Sequence, residues 1–471
     1  MKENDKKGIS FATENRTPTF GYAIFVLVFI LGLIMIPSAI YGLQIRVLFL
    51  LSWLLAFPLC MRLGYTYKEL QKGMFDFMPK ALLPVVFSLI IGAMTGIWNA
   101  CGTIPYITNI GLKIIVPEYF HLTSFIICVV FALITGTSWG TAGTIGLALM
   151  GVALGMDIPA LEAAAPIVCG AYIGDAISPL SDTTNIISGC VGVDLMEHVK
   201  YQLRITVPAF LISCVYFFIV GSMRGGVAGD LSEVMHIAGA IQENYRISLV
   251  DAFPILVVIA MLVLKVPTIP SLLSGTASGL LVAVFYQGTS LKDALNYMWN
   301  GFTLTSGDAF IDKLFSRGGM SNMSGTAFMI IVAFGLFGVL TYAGFLKVIA
   351  SPLVKKVHSN FKASVISLLL GLAGGISSSA TFSQVFTSNM MLEVYDDNKI
   401  SRLELANCLT VGGLMFSILI PWCSNSAAVA GFLDIEVTQM IPHLFTVFSY
   451  VPILLVSSYI YDRKHRSVKT N

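Results

Sequence analysis

Two carboxylates stand where carboxylates are costly. Asp175 and Asp182 lie in 174-GDAISPLSDTTN-185, inside a stretch from Ile114 to Val199 in which 86 residues pass without one Lys or Arg. An acid flanked by apolar segments needs a proton or a cation as partner, because burial disfavours its charged form. With no basic side chain nearby in sequence, a bound cation is the expected partner, and Asp175 and Asp182 are the expected Na+ ligands. Pro179 removes a backbone donor and disfavours helix at Ser178, which frees carbonyl oxygens. Ser178, Ser181, Thr183, Thr184 and Asn185 add side-chain oxygens. This mixture suits a hard monovalent cation, and unwound backbone in a bilayer belongs where it lines a protein-buried cavity.

A second interruption, 421-PWCSNSA-427, supplies Ser424 and Asn425 but no carboxylate. It reads as a neutral polar half-site. The segment 136-GTSWGT-141 contains the string G-x-S-x-G, which in an α/β hydrolase marks a nucleophile on a strand-turn-helix. Here it follows an apolar run and has a Gly/Ser-rich counterpart around Ser378, so Thr137 and Ser138 read as the tip of a re-entrant hairpin and no enzyme is expected. His121, His198 and His443 sit near helix ends and read as interfacial or loop residues. Glu162, Glu393 and Glu404 are weaker proton-carrier candidates, Glu404 being read as a solvated end beside Arg402. No cofactor is expected, Na+ and H+ being cargo.

The elements that position these groups follow from composition. The chain has 471 residues, 56% hydrophobic and 11% charged, against roughly 25% charged in an average globular protein. At about 20 apolar residues per span, this predicts an all-α polytopic membrane protein with roughly ten to thirteen spanning segments. The net charge of +2 is spread over short loops and the ends, which leaves no footprint for nucleic acid. The eight cysteines lie in apolar stretches without a CxxC and read as buried thiols. The run from Phe20 to Ile45 is too long for a signal-peptide core and reads as a retained first helix.

The one long polar connection, Met223 to Arg246, falls near the centre. On either side of it, 134-ITGTSWGTAGT-144 matches 373-AGGISSSATFS-383, and 179-PLSDTTN-185 matches 421-PWCSNSA-427, in the same order. The expected organisation is a tail at 1–19, a first transmembrane repeat at 20–223, a connecting loop at 224–247, a second repeat at 248–461 and a tail at 462–471. Basic residues in both tails and between Arg62 and Lys80 predict cytoplasmic termini and inverted halves with broken helices. GxxxG pairs at Gly92/Gly96, Gly151/Gly155 and Gly275/Gly279 read as helix-packing faces.

The runs 92-GAMTGIWNACGTIPYI-107, 134-ITGTSWGTAGTIGLALMGV-152, 170-GAYIGDAISPLSDTTN-185, 193-VDLMEHV-199, 315-FSRGGM-320 and 419-LIPW-422 resemble the NhaC-type Na+/H+ antiporter family, which includes malate/lactate exchangers, over nearly the whole chain. The resemblance implies an antiporter of the ion transporter superfamily with elevator-like alternating access, and it puts Asp175, Ser178, Ser181, Asp182 and Thr183 at the ion-binding centre. Departures are Ala176, where many relatives carry Lys, Val411, Gly412 and Gly413, where relatives often carry an acidic pair, and Cys423, where Asn is common. Smaller neutral residues there would leave room for an organic solute. The expected function is Na+/H+ exchange in the cell membrane. The alternative is Na+- or H+-coupled exchange of a small carboxylate or amino acid. Expected partners are those solutes and membrane lipid. Assembly is left open, a homodimer being one candidate. Asp182→Asn is expected to abolish transport.

Overall fold

A computed structural model describes residues 17–224, 231–308, 311–312, 315–355, 357, 359–377 and 379–467. The regular structure among them is helical throughout. Nine of these helices are long and apolar enough to cross a bilayer, or ten when Ile237–Asn244 and Leu249–Val263, which meet at 96°, count as one broken span. Ten is the low end of the expected range and nine falls just below it, because other apolar segments are short. Ile45–Met61 and Phe345–Val354, and the 17-residue helix Ala160–Ala176, each fall below a full span. The chain is a multi-pass membrane protein of the all-α class.

The helices form two compact units. The first comprises residues up to Val85, Ala327–Ser424 and the chain from Ser458 onward. Its N-terminal helix, Phe20–Tyr41, stops at Gly42, whose φ of 63° lets its N–H turn back onto Pro37 and Ser38 carbonyls. Ala23, Val26, Ile30 and Ile34 are fully buried at helical spacing, while Phe25, Val28 and Ile36 are exposed. An apolar face left open on an apolar helix is the face a lipid chain covers. At the interruption after Ile420, Trp422 is packed 5.3 Å from Phe49 and 6.4 Å from Phe337. Its indole N–H donates to the Ile376 carbonyl at 2.7 Å, so an aromatic wedge fixes the break in place.

The second unit comprises Val86–Thr326 and Asn425–Ser457. Its central pair is Phe120–Thr135 against Ala160–Ala176. Gly170 and Gly174 face the carbonyls of Phe125 and Val129, and a Cβ at either would collide with them. Backbone approach this close is what small residues permit in membrane helices. The expectation for the GxxxG pairs holds at Gly151/Gly155, against Thr108 and Leu112, and at Gly275/Gly279, against Val258 and Trp98. At Gly92/Gly96 it holds for Gly96, which packs on the Tyr297 carbonyl of the helix Leu291–Asn300, whereas Gly92 packs on non-helical backbone at Gly319. Gly319 N donates to Gly92 O at 2.7 Å.

No disulfide joins the eight cysteines; six are buried, whereas Cys190 and Cys214 are half-buried.

Candidate cation site

Asp175 occupies the last turn of Ala160–Ala176, and the next helix, Asp182–Val191, starts six residues later. Pro179 explains the gap: it has no N–H to donate and its ring clashes with helical backbone before it. The turn between them is held by its own polar groups. Ser178 N donates to Asp175 O at 3.2 Å and Ser181 N to Ser178 O at 3.1 Å. The Ser181 hydroxyl caps the new helix by accepting from Thr183 N at 3.1 Å and Thr184 N at 3.4 Å, satisfying donors that every helix start leaves open.

A second turn packs on the first. Phe120–Thr135 ends at Gly136, φ 70°, and Thr137 caps the short helix Ser138–Thr141. A Cβ at Gly136 would come within 2.6 Å of the Leu180 carbonyl carbon, so the turns meet where only glycine fits. Ser178 Oγ donates to Leu133 O at 2.8 Å across the same contact. This geometry delivers Ser138 Oγ to Asp175 Oδ2 at 2.7 Å. Thr184 Oγ1 donates to Asp175 O at 3.4 Å. Asp175 is 4% exposed. Its carboxylate is thus buried at a helix break with the Ser138 hydroxyl on Oδ2, and the hydroxyls of Ser178 and Thr184 bond the backbone carbonyls of Leu133 and Asp175.

The other candidates separate by position. Asp182 is exposed and its side chain makes no hydrogen bond among the described residues. Asn185 is exposed and donates to Ser181 O at 2.8 Å, and Thr183 is half-buried. Thr137 accepts from Gly140 N at 3.1 Å as a cap. Ser424 and Asn425 are buried at the start of Ser424–Leu433. Ser378 lies outside the described residues; its neighbour Ser379 caps Ala380–Asp397. Both members of each matched sequence pair therefore fall at helix interruptions.

Three readings are corrected by burial. His121 and His198 are near helix ends as expected but are 1% and 0% exposed, not interfacial. His121 Nε2 lies 4.0 Å from Glu162 Oε2, and His198 Nδ1 lies 3.0 Å from Ser188 Oγ. Glu404 is no solvated end: it is 1% exposed, with Ser458 Oγ at 3.5 Å, while Arg402 pairs with Asp396 at 2.6 Å. The space expected at Gly412 and Gly413 is also filled. Gly412 packs on Gly371, and a Cβ at Gly413 would lie 2.5 Å from Gln384 Cγ.

Sequence reasoning missed two π-helical segments, Ala142–Gly146 beyond the Ser138 turn and Thr410–Met415 before the second break. The available signal was threonine amid glycine: Thr141 Oγ1 bonds back to Thr137 O at 2.7 Å and Thr410 Oγ1 to Ala406 O at 3.1 Å. Such back-bonding loosens the helical ladder, and π segments recur at functional sites.

A protein-family model described as "Na+/H+ antiporter family" matches residues 170–461. The chain is 33% identical to the malate-2H(+)/Na(+)-lactate antiporter of Bacillus subtilis, over 96% of this chain and 98% of that protein. It is 27% identical to the Na(+)/H(+) antiporter NhaC of Alkalihalophilus pseudofirmus, over 91% and 93%. It is 30% identical to the arginine/ornithine antiporter ArcD of Halobacterium salinarum, over 97% and 95%. A buried carboxylate at a helix break, with likeness spanning both chains of each pair, leads to one conclusion: the chain belongs to the Na+/H+ antiporter family and is a secondary active antiporter of the NhaC type.

Proposed function

We propose that this protein exchanges Na+ for H+ across the cell membrane at Asp175, with the two cations competing for one carboxylate. The observation that carries this reading is the burial of Asp175 at a helix break, with Ser138 Oγ 2.7 Å from Oδ2 and no Lys or Arg between Ile114 and Val199. A buried carboxylate without a cationic side chain is neutralised by a proton or by a metal ion. Alternating occupancy by the two is exchange. Ser138, Ser181 and Thr184 supply neutral oxygens around the ion. Asp182, exposed where the next helix begins, draws cations toward the break. Ser424 and Asn425 form the neutral half-site, the halves are inverted repeats, and both termini are cytoplasmic.

A second reading is favoured by the names of two relatives, which exchange malate with lactate and arginine with ornithine. In it, a small carboxylate or amino acid moves together with, or against, the cation.

The test is purified protein in proteoliposomes, with a Na+ gradient imposed and internal pH followed by a dye. Proton movement driven by Na+ alone, absent in Asp175→Asn, is the expected result. Movement only when a solute is added would replace the first reading with the second.

A further inference from the structure

Arg317 is a cation on tightly held backbone whose own donors are unused among the described residues. It follows the helical residue Phe315, in the non-helical stretch 316–319 before the helix Ser324–Tyr342, and is half-buried. Backbone on both sides of it is pinned. Phe302 N donates to Arg317 O at 3.1 Å, Leu304 N donates to Ser316 Oγ at 2.9 Å, and Gly319 N donates to Gly92 O at 2.7 Å. Gly318 and Gly319 have φ of 86° and 98°, and a side chain at Gly318 would strike Gly96 backbone. Only glycine meets both demands, so the turn that carries Arg317 is built to one geometry.

The guanidinium has five N–H donors. Among the described residues none of them makes a hydrogen bond or an ion pair. Asp434 acts on it only through space and is itself exposed. Partial desolvation of an Arg without a bonded partner is unfavourable. The missing partner is then a group that arrives from outside the chain. The planar fork of Arg matches a carboxylate, which accepts two parallel hydrogen bonds.

Arg317 and Asp175 belong to the same compact unit, and two chains of contact lead from one toward the other. By one, Ser138 bonds Asp175, the adjacent Trp139 lies 6.4 Å from the Phe432 ring, and Asp434 two residues on acts on Arg317 through space. By the other, Gly143 packs on Ile91, and the next residue, Gly92, accepts from Gly319.

We propose that Arg317 anchors the carboxylate of a small organic anion in the unit that carries the Asp175 cation site. The anchor deepens the second reading above, and its coupling to Na+ rests on Asp175 being the cation site. The test is equilibrium binding of radiolabelled L-malate and L-lactate to the purified full-length protein, with and without Na+, in wild type, Arg317→Lys and Arg317→Gln. Wild type is expected to bind at least one of them saturably. Arg317→Gln should weaken that binding at least about tenfold, the loss of a charge-assisted pair. Arg317→Lys should fall between, since an ammonium keeps the charge but not the fork. Asp175→Asn separates the two ideas: it should abolish the effect of Na+ while leaving Na+-free binding of the carboxylate dependent on Arg317. Failure of wild type to bind either anion, or wild-type affinity in Arg317→Gln, would overturn the proposal. If Arg317→Gln does not elute as folded protein on size exclusion, wild-type affinity in Arg317→Lys would overturn it equally.

Discussion

Ser138 Oγ donates to Asp175 Oδ2 at 2.7 Å across 37 residues of chain, from the first turn of one helix to the last turn of another. A hydroxyl placed so can hold the carboxylate in one rotamer whether its charge is neutralised by a proton or by a cation. The predictions below follow from that contact and from the packing that maintains it.

Asp175→Asn should abolish Na+-driven proton movement while the protein still inserts in the membrane, because the amide can neither ionise nor exchange a proton. Wild-type flux in a proteoliposome assay would remove the carboxylate from the account. Asp182→Asn, expected from sequence to abolish transport, is now expected to do less. Asp182 is exposed, so its loss should raise the half-saturating Na+ concentration more than it lowers the maximal rate.

Ser138→Ala removes one hydrogen bond to a group that carries charge in part of the cycle, worth roughly 1.5–3 kcal/mol. The expected result is a roughly tenfold to hundredfold rise in half-saturating Na+, measured by the same dye assay. Ser138→Thr keeps the hydroxyl and should recover part of the loss.

Gly174→Ala places a Cβ against the Val129 carbonyl, in the helix pair that carries Asp175. Overpacking of this kind costs about 1–3 kcal/mol and should lower the thermal unfolding temperature in detergent. Gly189→Ala is the counterpart: nothing lies within 4 Å of its Cβ, so the helix should gain up to about 1 kcal/mol.

Gly413→Asp introduces an acid where the family resemblance led to the expectation of one, but its Cβ would lie 2.5 Å from Gln384 Cγ. The single variant should express as poorly folded protein. The double variant Gly413→Asp with Gln384→Ala should regain monodisperse elution, since the shorter side chain clears the space.

Much of this was legible in the sequence. The absence of Lys and Arg around Asp175, the Pro179 break and the glycine-rich turn at Gly136 are local features, and periodicity and composition report on local structure and on the solvent. Three things were not legible, each because it depends on a partner distant in the chain. Asp175 and Asp182 look equivalent in sequence, yet one ends a helix buried against Phe120–Thr135 and the other begins a helix at an exposed position. Glu404 beside Arg402 looks solvated, yet Arg402 turns to Asp396 and Glu404 is buried beside Ser458, 54 residues away. The loss of acids at Gly412 and Gly413 looked like room for a solute, yet Gly371 and Gln384 fill it.

The central claim is that Na+ and H+ compete for Asp175, and the most direct test is the number of protons released per Na+ bound. Calorimetric titration of the purified protein with Na+, in buffers of different ionisation enthalpy, measures that number. Proton release on Na+ binding in wild type, with both the release and the binding lost in Asp175→Asn, is the predicted result. Na+ binding that releases no proton, or that persists unchanged in Asp175→Asn, would contradict it.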